Sequence, residues 1–493
     1  MSLTPLNAER WNDEAAAHLL NRAGFGGPPD WIREFRELGL AGAVDRLLSG
    51  WKGTEGAVGP EWAKPDPERG AKLSQWRAAP EAERREMRQQ QQELMRNRVL
   101  ELRRWWLDRM VTASRPLEEK MVLFWHGHFA TSVQKVKDPY LMFRQLQTFR
   151  RHAAGSWQAL LMDVTRDPAM LVWLDQAQSR REQPNENYAR EVMELFALGE
   201  GHYAEQDVKD AARAFTGLTL DRVRQEAAWR PRAHDDGLKQ VLGRSGRLKP
   251  EDVIQQIVLQ PQASRFLCAK LWRFFAGDPA PAGVVGALAE VFERNDRRVE
   301  PVLRALFRSA AFYEPGVVRT QIKSPVQWLV MALRQLERPL PEGDRASLAL
   351  KQLGQDLLAP PNVKGWDGGV AWINTSTLTL RQQYASMLVL GREGVAVGRD
   401  APRARGLRDR AERRARVRDA GSAEEEVKRW LGSLQVRRDD VVARLEARFL
   451  QSPFRARLKE DVLEALGDDA LPDPRAVLQA VATVLRSTDY QLT

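Results

Sequence analysis

Apolar positions recur at helical spacing along most of this 493-residue chain. That periodicity predicts a mainly α fold: a large multi-helix globular domain with long ordered loops. The stretch Gln183 to Gly217 shows the pattern clearly as loop, helix, glycine turn and helix. Pro184 and Asn185 suit a helix start, where proline loses no hydrogen bond and a short polar side chain caps free N–H groups. Tyr188, Val192, Leu195 and Phe196 then fall on one stripe, and Gly199 and Gly201 end the helix. A second helix over Asp207 to Phe215 carries Val208, Ala211, Ala212 and Phe215 on its apolar face.

Four regions follow from the same reading. Residues 1–50 form an N-terminal helical unit, broken at RAGFGGPPD and restarted at Pro29 and Asp30. RAGFGG lacks the preceding strand and the spacing of a phosphate loop. Residues 51–110 are a Gly/Pro loop and a charged helical arm, whose apolar residues thicken toward Trp105, Trp106 and Met110, so its second half docks. Residues 111–395 form the helical core, and 396–493 a basic helical C-terminal region. Alternation near Leu218 to Val223 and Lys239 to Leu242 allows a short β-ribbon within 218–245, with His234 and Asp235 in its loop. Gly354 to Ser376 is a long irregular loop, and Trp366 and Trp372 predict that it is packed.

Composition narrows the class. Charged residues are 29% and the apolar types 43%, ordinary for a soluble globular protein. No apolar run is long enough for a membrane-spanning helix, and the N-terminus as written has no secretory signal, which predicts a cytoplasmic protein. The single Cys268 sits in FLCAKLW, the context of a core thiol. Net charge is +10, and residues 403–418 hold eight arginines against two acids. Without a zinc pattern or an RNA-binding sheet motif, that segment reads as a solvated surface helix before it reads as a nucleic-acid contact.

Several long motifs stand in one order: RAGFGG at 22–27, FWHGHFATS at 124–132, PNENYAREVMELFALGEGHY at 184–203, DVKDAARAFTG at 207–217, HDDGLKQVLGRSG at 234–246, KSPVQWLV at 323–330 and PPNVKGWDGGVAWINTSTL at 360–378. Together they resemble the bacterial family called domain of unknown function 1800, over roughly residues 10 to 395, closing with STDYQLT. The resemblance implies a large, mainly helical bacterial protein with no established activity. It also implies a partner, since such proteins are often encoded beside those of the domain of unknown function 1501, which look like the alkaline phosphatase and sulfatase superfamily. Many of those neighbours carry twin-arginine export signals, so export in complex with a signalled partner is the alternative location. Ala204 departs from the family, which often has a capping threonine there.

These motifs gather polar groups. His126, His128, Glu191, Glu194, His234 and Asp235 are the candidate metal ligands, with Asn185, Glu186, Asn187 and Asp207 as further polar site residues. Imidazole and carboxylate donors suit a divalent metal such as zinc, iron or manganese. Such a centre would activate water for hydrolysis or bind oxygen for oxidation. On a helix His126 and His128 would diverge by roughly 200°, so joint chelation needs a break at Gly127. The same residues also read as an ion-pair and cap network, because Glu186–Arg190 and Arg190–Glu194 are i,i+4 pairs and Arg213 can reach other carboxylates. A non-catalytic scaffold or chaperone for the neighbouring hydrolase-like protein is the alternative function. No Ser–His–acid order with a nucleophile elbow and no Walker loop is present.

Overall fold

The computed structural model describes residues 3–50, 57–391 and 423–493. The arginine-rich segment 403–418 lies outside the described residues. The fold is mainly α, with two small two-stranded sheets. No described helix is long and apolar enough to cross a membrane.

The N-terminal unit consists of the helices Asp13–Ala23, Pro29–Glu37 and Gly39–Leu48. Asn12 caps the first by accepting the Ala15 N–H at 3.0 Å, and Pro29 occupies a first-turn position of the second. The arm is one helix, Glu81–Thr112. Its first half is solvated, and Leu102, Trp106, Leu107 and Met110 dock the second half.

The centre of the fold is the helix Pro116–His128, buried along almost all of its length. The helices Asp13–Ala23, Gly39–Leu48, Glu81–Thr112 and Pro139–Arg151 pack against it. A polar group inside such a helix costs free energy unless it is paired. Glu119 is paired: its carboxylate accepts from Arg150 and Arg109 at 2.8 Å each and from the Trp106 indole at 3.1 Å. Buried apolar side chains from Leu6 to Tyr490 join in one continuous cluster.

The single ribbon expected within 218–245 is two separate hairpins. Leu218–Asp221 pairs antiparallel with Glu226–Trp229, and Lys239–Val241 with Arg244–Gly246. Each closes on its own turn. Asp221 accepts the Val223 and Arg224 N–H groups, while Leu242 and Gly243 both take positive φ, the geometry of a type I′ hairpin turn. Local turn chemistry outweighs pairing across the longer connection, which instead carries His234 and Asp235.

Candidate functional site

Three of the sequence motifs meet at one cleft. Lys120, Phe124 and His128 share a face of the Pro116–His128 helix, with Leu123 and Gly127 beside them. Lys270, Trp272 and Phe274 come from the helix Pro261–Phe275. The loop 364–372 adds Lys364, Trp366 and Trp372; Gln327 and Gln355 also line the cleft, as do the charged Arg273, Asp278, Glu314 and Asp367. The cleft encloses about 1270 Å³, room for a drug-sized molecule.

The last turn of the central helix positions three neighbours at once. His126 does not line the cleft; its Nε2 accepts the Leu358 N–H at 3.1 Å, and its ring stands against Trp106 and Trp366. Leu358 has φ +64°, a conformation that leucine rarely adopts. It is held from both sides, because its carbonyl accepts the Val133 N–H at 2.8 Å. Burial, then the Arg103 charge, pushes the His126 imidazole down to about 3, so it stays neutral. With Nε2 accepting, the proton sits on Nδ1, which is sealed and has no partner among the described residues.

Gly365 explains the approach of the loop. A Cβ on Gly365, which has φ +88°, would collide with the Gly127 carbonyl oxygen. A Cβ on Gly127 itself would meet nothing within 4 Å. The loop start is tied down as well: Arg103 pairs with Asp356 at 2.6 Å and donates to the Leu357 carbonyl at 2.7 Å.

His128 diverges from His126 because the helix continues through it. Its Nε2 donates to the Phe196 carbonyl at 3.0 Å, and its Nδ1 accepts from Lys270 Nζ at 3.3 Å. Lys270 also donates to the Leu195 carbonyl at 2.9 Å. Both carbonyls lie at the end of the π-helical segment Val192–Ala197, where no following turn pairs them. Burial, then the Lys270 charge, holds the His128 imidazole well below its ordinary range. Burial also lowers the Lys270 amine to about 8.

Lys120 is the outlier of the site. It is 3% exposed, its amine lies 5.0 Å from the Phe25 ring centre and 5.4 Å from that of Phe274, and no acceptor or carboxylate meets it among the described residues. Burial, then the Arg22 charge, pushes the amine down to about 7. Arg22 itself is committed to the Phe275 and Val317 carbonyls.

The six candidate metal ligands have different bonding partners. His126 and His128 serve the two backbone contacts just described. Glu194 accepts from the Tyr203 hydroxyl at 2.7 Å. Glu191 is half-buried; burial, then the Glu194 charge, raises its carboxyl, with Lys364 opposing. His234 Nδ1 meets the Thr216 carbonyl at 2.9 Å, and Arg213 takes the Asp235 carboxylate at 2.7 Å. Among the described residues no three His, Cys, Asp or Glu side chains gather as a ligand set.

The further polar residues serve structure in the same way. Asn185 caps its helix by accepting the Asn187 N–H at 2.9 Å, and Asn187 is exposed. Glu186 pairs with Arg190 at 3.4 Å, whose other partner at 2.7 Å is Glu205 and not Glu194. Asp207 accepts the Ala204 and Leu242 N–H groups at 2.8 Å each, so the start of that helix is held although Ala204 offers no cap of its own.

Sequence reasoning missed Lys120 and Lys270. Their signal was present: Lys120, Phe124 and His128 stand four apart, and Lys270 follows Cys268 by two in FLCAKLW. Each is a lysine on an apolar helical face. Cys268 is buried, and burial pushes its thiol up, as expected of a core residue.

No curated protein and no solved structure matches the chain. One family model does, over residues 18–492, so the likeness extends through the C-terminal region that the motifs left uncovered. The cleft motifs and that match together place the chain in the DUF1800 family of proteins of unknown function.

Proposed function

We propose that the cleft is the working site of this protein and that it binds a small organic molecule with an apolar body and an oxygen-bearing head. The Lys120 amine carries this reading. Placing an amine in the cleft wall without a protein acceptor costs several kcal/mol, on the order of its desolvation. A ligand oxygen would supply the missing acceptor. Phe124, Trp366 and Trp372 offer the apolar surface for the rest of the molecule. Lys270, Gln327 and Gln355 add polar groups that would orient it.

Tryptophan emission reports occupancy, because Trp272, Trp366 and Trp372 line the cleft. Titration with 2-naphthylmethanol and with 2-naphthoate should give saturable quenching for at least one probe. Gly127→Phe should abolish it, since the space beyond that glycine is open. Absence of saturation with both probes to millimolar concentration, or equal binding by Gly127→Phe, would defeat the proposal.

A further inference from the structure

The kind of head group follows from comparing the buried lysines. Lys323 donates to the Tyr490 carbonyl at 2.7 Å and sits over the Tyr490 ring at 3.5 Å. Lys239 donates to the Asp235 and Gly237 carbonyls. Lys270 donates to the Leu195 carbonyl and to His128. Among the described buried lysines, Lys120 alone has neither acceptor nor carboxylate, and it lines a cleft. An amine kept merely as a charge would be given a counter-ion; this one has the Arg22 charge nearby instead. That arrangement suits a neutral amine with a free lone pair, held between two phenyl rings.

We propose that Lys120 is a nucleophile that captures the carbonyl group of an aldehyde or ketone held in the cleft, forming an imine. The proposal rests on the cleft being the working site. The Lys120 Nζ lone pair adds to the carbonyl carbon, and one N–H proton ends on the former carbonyl oxygen. The carbinolamine then loses that hydroxyl with the second N–H proton as water, leaving C=N. No oxidant or reductant enters the step. Lysine activation by desolvation and a neighbouring cation is the established physical route to such chemistry. The aromatic surface of Phe124, Trp366 and Trp372 favours carbonyl compounds with an aromatic or branched apolar body.

The test uses the full chain, 2-naphthaldehyde as probe and borohydride to reduce any imine to a stable amine, with adduct positions read by peptide mass spectrometry. The expected result is a naphthylmethyl adduct on Lys120 at least tenfold above that on exposed Lys137 and Lys209, and its loss when 2-naphthylmethanol competes. Lys120→Arg, which keeps a long side chain but no nucleophilic amine, and Lys120→Met should each remove this adduct while circular dichroism shows a folded protein. Labelling of Lys120 no greater than that of the exposed lysines overturns the proposal. If 2-naphthylmethanol still binds saturably in that case, imine formation fails and the cleft reading stands. If neither probe binds nor labels, both fail.

Discussion

Replacing Lys120 with methionine should stabilise the protein while removing its amine from the cleft. Burial and the Arg22 charge hold the amine at about 7 in the folded chain. An unfolded lysine titrates near 10.4. Between those values the unfolded chain holds the proton and the folded chain does not. Stability therefore rises with pH from about 7 toward about 10, and the penalty is full below about 7. A separation of about 3 pH units, at about 1.4 kcal/mol per unit, makes that penalty about 4 kcal/mol. The cation–π contacts with Phe25 and Phe274, lost in the variant, offset about 1 kcal/mol of it. Methionine is similarly long, flexible and uncharged, so it fills the same channel. Urea unfolding at pH 7 should thus show Lys120→Met more stable by about 2–4 kcal/mol, narrowing to under about 1 kcal/mol at pH 10. Lys270 and Lys323, also lowered by burial, cancel in the comparison because both proteins contain them. A variant no more stable than the parent at pH 7, or a difference independent of pH, would refute the claim that the amine is buried at a cost.

Four other outcomes follow from the packing. Glu119→Gln should lose about 3–5 kcal/mol in denaturant unfolding, because it leaves the Arg150 guanidinium buried without its counter-charge. Gly365→Ala should be destabilised by at least about 2 kcal/mol, through positive φ and the collision with Gly127, whereas Gly127→Ala should unfold at or above the parental midpoint. His126→Ala should speed amide exchange at Leu358 by at least about tenfold, since the residue loses the acceptor that holds its strained backbone. Acid should weaken the fold through the same imidazole: its folded value near 3 lies below the ordinary 6.5, so the unfolded chain gains the proton first as pH falls. At pH 5 that difference is worth about 2 kcal/mol, and His126→Gln should show a correspondingly smaller fall in melting temperature between pH 7 and pH 5.

Much of the secondary structure was legible because its causes are local. The docking half of the arm, the start at Pro29, the end at Gly199 and the packing of the 354–376 loop all follow from spacing, caps and the burial demand of tryptophan. The π-helical turn at Val192–Ala197 had no such cue, since helical periodicity does not resolve one extra residue in a turn. Of the ten candidate site residues only His128 lines the cleft. FWHGH and the loop ending in Trp372 do meet, yet the histidines serve backbone groups and the carboxylates serve tyrosine and arginine.

What the amino-acid order determined by itself is therefore the set of helices, their ends and the divergence of His126 from His128, because each depends on geometry within a few residues. Only the tertiary structure decided which donor meets which acceptor. Lys120, Lys270 and Lys364 are far apart in the chain and share a cleft, while His234, equally suggestive on paper, meets the Thr216 carbonyl instead. Helix crossing and loop docking set those distances, and an unpaired amine becomes visible only once every neighbouring acceptor has been assigned to something else.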